Sequence, residues 1–411
     1  MEISQEARLR GKAAQAELAQ LFEEIDRIAE ENTERVLGAF HRHRVSESLF
    51  GGSTGYGYDD HGRETLERVW ADIFGAESAL VRISIANGTH AITCALFAAC
   101  EPGSVLLSAV GAPYDTLHGV IGIEGGYHGS LAHYGVGYRE VPVTADGKPD
   151  LEAISRAAAA ADVGAVLVQR SRGYSSRASL SADEIDRIVD EVHRVNPRAV
   201  VVVDNCYGEF ADTHEPHGDL VCGSLIKNPG GGIAPCGGYI VGRSELVERA
   251  AFRLTAPGLG GEVGATLGQS RLLFEGLFLA PHTVAQAKKT MMFAAKVLED
   301  AGCAVAPGPF EERHDIIQTV ELGSPERLEA FCRGIQAGSP VDSFVTPEPW
   351  PMPGYNCDVI MAAGAFVQGS SIELSCDAPM REPYRAYMQG GLTYESGKAA
   401  VLLALDGVLK A

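Results

Sequence analysis

Positive charge is scarce in this chain. Of its 411 residues, 34 are Lys or Arg and 54 are Asp or Glu, for a formal net charge of −20. Nucleic acid and anionic membrane surfaces both require clustered Lys and Arg, so neither is expected as a partner. Cysteine pairing is also missing. Nine thiols, an odd number with no Cys-x-x-Cys, read as reduced cysteines of a cytosolic protein. No apolar run approaches the roughly 18 residues that a membrane span needs. Met1-Glu-Ile-Ser-Gln-Glu6 has neither the basic nor the apolar region of a signal peptide. A cytoplasmic location is the expectation.

What remains is ordinary globular composition, 45% hydrophobic and 21% charged, in a chain too long for one core. Three segments are expected: a helical segment at 1–50, a large cofactor-binding domain at 51–300 and a small α+β domain at 301–411. Residues 5–41 carry helical spacing through Leu18, Leu21, Phe22, Ile25 and Ile28. From about residue 63 to 250, helical segments alternate with short apolar runs. Strands are expected at 78–85, 104–108, 165–169, 199–204 and 239–241, and a helix at 183–195 capped by Ser181. Such alternation predicts an α/β fold, a mainly parallel sheet flanked by helices. A long helix is expected over 269–301.

Lysine is the rarest charge. There are eight, and Lys227 is the only one between Lys148 and Lys288. A lone lysine is ordinarily a solvated surface charge, but this one lies in Gly223-Ser-Leu-Ile-Lys-Asn-Pro-Gly-Gly-Gly232. It follows a valine strand that ends in Asp204. A lysine amine can condense with the aldehyde of pyridoxal phosphate (PLP), and a buried carboxylate can keep the pyridine nitrogen protonated. Gly88 and Thr89 follow a strand and open an apolar helix, whose free N–H groups suit a phosphate. Ser224 offers that phosphate a hydroxyl, and Tyr114 can stack on a planar ring. Ligands of open α/β sheets gather at the carboxyl ends of strands, where all of these residues fall.

Longer motifs carry a resemblance. Thr54-Gly-Tyr-Gly-Tyr-Asp-Asp-His-Gly-Arg63, Gln169-Arg-Ser-Arg-Gly-Tyr174, Val203-Asp-Asn-Cys-Tyr-Gly-Glu-Phe210, Ser224–Gly232 and Gln389-Gly-Gly-Leu-Thr-Tyr394 are similar to the methionine γ-lyase-related family often labelled aluminium-resistance proteins. The likeness runs from about residue 38 onward. It implies a PLP enzyme of fold type I and a homo-oligomer, a dimer of dimers with shared active sites. It further implies that Tyr56 or Tyr58, with Arg63, reaches the phosphate in a neighbouring subunit. The sequence departs from the wider superfamily where an Arg-x-Ser pair usually holds the substrate carboxylate: Glu373-Leu-Ser375 stands there instead. Arg381 is the expected replacement, with Arg172 the alternative, because a guanidinium fork makes two parallel bonds to a carboxylate.

The expected reaction is β- or γ-elimination from a sulfur-bearing or otherwise heteroatom-substituted amino acid. Lys227 would act as base, Asp204 as partner of the ring nitrogen and Tyr114 as a further proton carrier. An aminotransferase, a replacement-type synthase and a PLP-binding protein without turnover remain alternatives. No metal is expected, since His41-Arg-His43 and His214-Glu-Pro-His217 lack zinc-type spacing with a third ligand. Cys206 reads as buried apolar filler.

Overall fold

The computed structural model of the chain describes residues 2–411 apart from 124, 126, 174, 176 and 353–356, so Tyr174 of the second quoted motif lies outside the described residues. Packing divides the chain into two compact units, Asn32–Phe278 and a second made of Met1–Glu31 with Leu279–Ala411. This differs from the three segments expected from sequence. Helices α1 (Gln5–Glu17) and α2 (Ala19–Arg42) open the chain, with the helical pattern interrupted at Leu18. Ala7, Ala14, Leu18, Phe22 and Ile25 are buried in one core with Val297, Leu298, Phe331 and Leu405. Helical spacing in a sequence gives the face that is buried; it does not say which segment covers that face.

Within Asn32–Phe278, seven strands among the described residues form one sheet. They are β1 (Ser78–Arg82), β2 (Val105–Ser108), β3 (Gly137–Glu140), β4 (Val163–Gln169), β5 (Val200–Asp204), β6 (Leu220–Ser224) and β7 (Gly238–Gly242), ordered β1-β7-β6-β5-β4-β2-β3. Only β7 runs against its neighbours. Consecutive burial of Val201, Val202 and Val203 means that both sheet faces are covered. Each such side chain contributes about 1.5–3 kcal/mol relative to exposure. Helices α3 (His61–Ile73), α4 (Gly88–Ala99), α5 (Asp115–Ile121), α6 (Leu151–Ala158), α7 (Ala182–Val195) and α8 (Ser244–Leu254) fill the connections. Helix α4 packs against β5, β6 and β7. Helix α7 starts where expected: Ser181 and Glu184 form a reciprocal capping box, and Ile185, Ile188, Val189 and Val192 make its buried stripe.

Two strands escape the sequence reading. β3 (Gly-Tyr-Arg-Glu) is a largely exposed edge with no apolar alternation. β6 ends in Gly223 and Ser224, which hide the signal of its three apolar residues. The consequence for function is favourable, because β2, β4, β5 and β6 are parallel and end at one edge. Helix α9 (Ser270–Glu299) passes from this unit into the other.

The second unit holds a wholly antiparallel sheet. Its strands are β8 (Ala304–Ala306), β9 (Ile317–Glu321), β10 (Trp350–Pro351), β11 (Asp358–Ala363), β12 (Ser375–Pro379) and β13 (Arg385–Gln389), in the order β10-β11-β12-β13-β9-β8. Helices α10 (Pro325–Ala337) and α11 (Tyr394–Lys410) pack on each other, and α1 packs on α11. Among the described residues no helix is long and apolar enough to cross a membrane.

Candidate active site

Adjacent strands bring the main residues together. Asp204 closes β5 and pairs in register with Cys222 of β6, so the loops that follow run side by side. Ser224 ends β6 and is fully buried. The Lys227 N–H donates to the Ser224 carbonyl at 3.3 Å, a tight turn that returns the lysine towards the strand ends. Gly88 stands opposite. A Cβ there would lie 3.2 Å from Cys206 Sγ, 3.5 Å from Ser224 Cβ and 4.0 Å from Lys227 Cε. The glycine thus keeps open the space that Ser224 and Lys227 share.

The first turn of α4 borders that space. Asn87 caps the helix by accepting the His90 N–H at 2.8 Å. The N–H groups of Gly88 and Thr89 have no partner within the helix by geometry, which suits them to an anion. Thr89 Oγ1 meets Thr116 Oγ1 at 2.8 Å, bringing in a second hydroxyl that sequence reasoning did not single out. Tyr114 is half-buried at the start of α5, its N–H held by Gln169 Oε1 at 2.8 Å. Gln169 in turn pairs in register with Asp204. Arg172 follows β4 in the same turn and is buried; a Cβ on its neighbour Gly173 would touch the Tyr114 ring at 3.1 Å.

Burial raises the pKa of the Asp204 carboxyl, and the Lys227 ammonium opposes that shift. Burial acts to lower the Lys227 pKa, but Tyr207, Cys206 and Asp204 outweigh it and raise it above the ordinary lysine value. Lys227 Nζ lies 3.7 Å from the centroid of the Tyr207 ring. Burial pushes the Cys206 thiol well up, which leaves it a neutral filler as expected. Behind this loop the wholly buried Glu209 accepts from the Tyr239 hydroxyl at 2.8 Å. Burial pushes its carboxyl to about 8, so it holds a proton at neutral pH. Tyr207 and Glu209 were missed as site residues because neither has a spacing that marks it. Their positions follow from a loop that sequence periodicity does not describe.

The remaining expected residues make contacts of their own. Arg63 has partners within its own chain. It is buried and donates to the carbonyls of Gly57 at 2.6 Å and Gly264 at 2.7 Å, so it organises the loop that carries the tyrosines. Tyr56 and Tyr58 are exposed and stacked, centroids 5.5 Å apart. Arg381 belongs to the other unit, exposed in the turn between β12 and β13. That turn is at the far end of β12 from Glu373, so Arg381 does not take over the position that Glu373 occupies. Glu373 is itself committed: buried, it accepts the N–H groups of Phe366 and Val367 at 2.8 and 2.9 Å. The fold also brings Asp183, Asp186 and His214 close enough to share a cation, a proximity that sequence spacing did not reveal. Asp186 there already pairs with His214 and His217.

An open cradle with free N–H groups, two hydroxyls, a buried carboxylate and one lysine fits a phosphate-bearing pyridine aldehyde. Comparison with known proteins agrees. A Bacillus subtilis (strain 168) protein, YnbB, is 47% identical over 400 residues, 96% of this chain and 95% of that one. The solved structure of a carbon–sulfur lyase involved in aluminium resistance from Clostridium novyi NT shares 48% identity with a TM-score of 0.94, covering 98% of this chain and 96% of that one. The PLP-dependent protein YhfS of Escherichia coli, 18% identical with a TM-score of 0.63 over 93% and 96% of the two chains, shares the type I fold. The family model for methionine gamma-lyase matches residues 8–409, and the chain belongs to that family.

Proposed function

We propose that the chain is a PLP-dependent carbon–sulfur lyase that eliminates a thiol or other heteroatom group from Cβ or Cγ of an amino acid. The observation that carries this is the meeting of Gly88, Ser224 and Lys227 at the strand edge where Asp204 closes the neighbouring strand. The solved relative named a carbon–sulfur lyase supports the reaction class. When bound, the cofactor supplies an electron sink for the bond broken at Cα. Lys227 would hold it covalently, then take the α-proton on Nζ once the substrate amine has displaced it. Asp204 would accept a hydrogen bond from the ring nitrogen, while Gly88, Thr89 and Ser224 would hold the phosphate. Tyr114, beside the cradle, would stack on the ring and pass a proton to the departing group.

Purified protein incubated with a panel of amino acids should release keto acid, ammonia and thiol together from a sulfur-bearing substrate. Keto acid formed only when a second keto acid is added would mark an aminotransferase and overturn the lyase reading. No product across the panel would mark a binding protein.

We assign the substrate carboxylate to Arg172 rather than Arg381. Arg172 is buried just past the end of β4, next to Gly173, on which a Cβ would touch the Tyr114 ring, whereas Arg381 is exposed at the far end of β12 from Glu373. Loss of a bidentate charged contact costs about 2–4 kcal/mol. Arg172→Ala should therefore raise KM by roughly 30-fold or more with the cofactor spectrum unchanged. A steep rise in KM for Arg381→Ala, with Arg172→Ala near normal, would return the carboxylate site to the other unit.

A further inference from the structure

The loop after β5 is bent in a way that ordinary side chains avoid. Tyr207 has φ +72° and Phe210 φ +59°, the left-handed region in which bulky residues are strained. Strain of this kind persists where the surroundings enforce it, and it gathers at functional sites. Here the enforcement is visible. Asn228 Nδ2 donates to the Tyr207 carbonyl at 2.8 Å and to the Glu209 carbonyl at 3.0 Å, and the Gly208 N–H donates to the Asn205 carbonyl at 2.9 Å. Asn228 is the residue after Lys227, so one side chain fixes the lysine turn and the tyrosine turn to each other. The result is the ring of Tyr207 set against Lys227 Nζ, 3.7 Å from its centroid.

We propose that Tyr207 is a positioning residue whose ring face receives the Lys227 ammonium whenever that amine is not joined to the cofactor. The proposal rests on the reading of Lys227 as the cofactor lysine. Its physical basis is the negative face of an aromatic ring, which attracts a cation most strongly where water is excluded. Asp204 and Cys206 also raise the Lys227 pKa, but neither offers an aromatic face. Ser224 from β6 and Gly88 from α4 carry no charge. Cys206 stays a neutral thiol and Glu209 a neutral acid at neutral pH. Among the described residues Asp204 is the carboxylate acting on it, and it is assigned to the ring nitrogen. The Tyr207 face then keeps the proton that Nζ takes from the substrate. The amine becomes an ammonium there, and it reverts to amine when it gives the proton up.

The test is the titration of Lys227 in full-length protein stripped of cofactor. Competitive acetylation with acetic anhydride at a series of pH values up to about 11, read at Lys227 against the other lysines by mass spectrometry, gives the fraction present as amine and so the direction and size of any movement of the midpoint. Tyr207→Phe keeps the ring face but loses the hydroxyl, which also raises the amine's pKa, and should shift less than a ringless variant. Tyr207→Leu should lower the midpoint by about one unit. Tyr207→Met, also without a ring, replaces the leucine variant if that one does not fold. A ringless variant that titrates with the parent overturns the proposal, and so does a phenylalanine variant that shifts as far as the ringless one. The cofactor reading fails separately: borohydride would then trap pyridoxal phosphate on protein carrying Lys227→Ala, whatever the titration shows.

Discussion

Lys227→Ala protein emerges colourless from purification with pyridoxal phosphate, while the parent is yellow. The side chain lost is the amine that would bond the cofactor aldehyde, and no other lysine lies between Lys148 and Lys288 to replace it. Catalysis should fall by at least ~10⁴-fold, because the residue is assigned both the covalent anchorage and the base. The phosphate cradle of Gly88, Thr89 and Ser224 is untouched, so phosphate-bearing analogues should still bind. Absorbance spectra before and after borohydride reduction decide the matter. A reduced adduct on some other lysine of the variant would show that the anchorage was assigned to the wrong residue.

Asp204→Asn should separate binding from chemistry. The change keeps the shape and removes the charge that holds the ring nitrogen protonated. Turnover should drop on the order of 10³-fold while the cofactor band persists, since preorganised electrostatic stabilisation is commonly the largest catalytic contribution. Stability should move the other way. Burial raises the folded-state pKa of Asp204 above its unfolded value. Its contribution to stability is therefore complete below the unfolded pKa and is lost as pH rises through the folded one. At neutral pH, above the unfolded value, burial of this carboxyl therefore costs stability, and asparagine removes that cost. Thermal unfolding of the variant at or above the parent temperature, alongside slow turnover, is the expected pair of results. Near-normal turnover would mean that the electron sink is organised by another group.

Much of this site could be read before any coordinates. A run of four valines closed by Asp204 is legible because buried parallel strands need unbroken apolar residues and a polar stop. Lys227 was legible through its glycines, and α7 through Ser181 and Glu184. What the sequence left open has a common physical cause, which is that it concerns contacts between segments distant in sequence. β6 was hidden by Gly223 and Ser224, the residues that make it useful. Arg63 carries the same charge whether it faces a phosphate or the carbonyls of Gly57 and Gly264; only the fold distinguishes these. Arg381 was chosen by nearness in sequence to Glu373, yet eight residues spanning a strand place the two at opposite ends of it. Tyr207 stands inside the quoted Val203–Phe210 motif, but nothing there marks its backbone angle, which is held by Asn228, 21 residues onward.

The grouping of Met1–Glu31 with Leu279–Ala411 bears on how the chain is made. A ribosome adds about 5–20 residues per second, so the first helices would emerge tens of seconds before the segments that cover them. During that interval Leu18, Phe22 and Ile25 have no lasting place to be buried. The Ser4 N–H likewise waits for the Asp406 carboxylate, which it reaches at 2.7 Å across almost the whole chain. Asn32–Phe278, by contrast, is continuous, and the cradle around Lys227 can be assembled while the final third is still being translated. The order of synthesis therefore favours a binding unit that exists before the partly N-terminal unit can close.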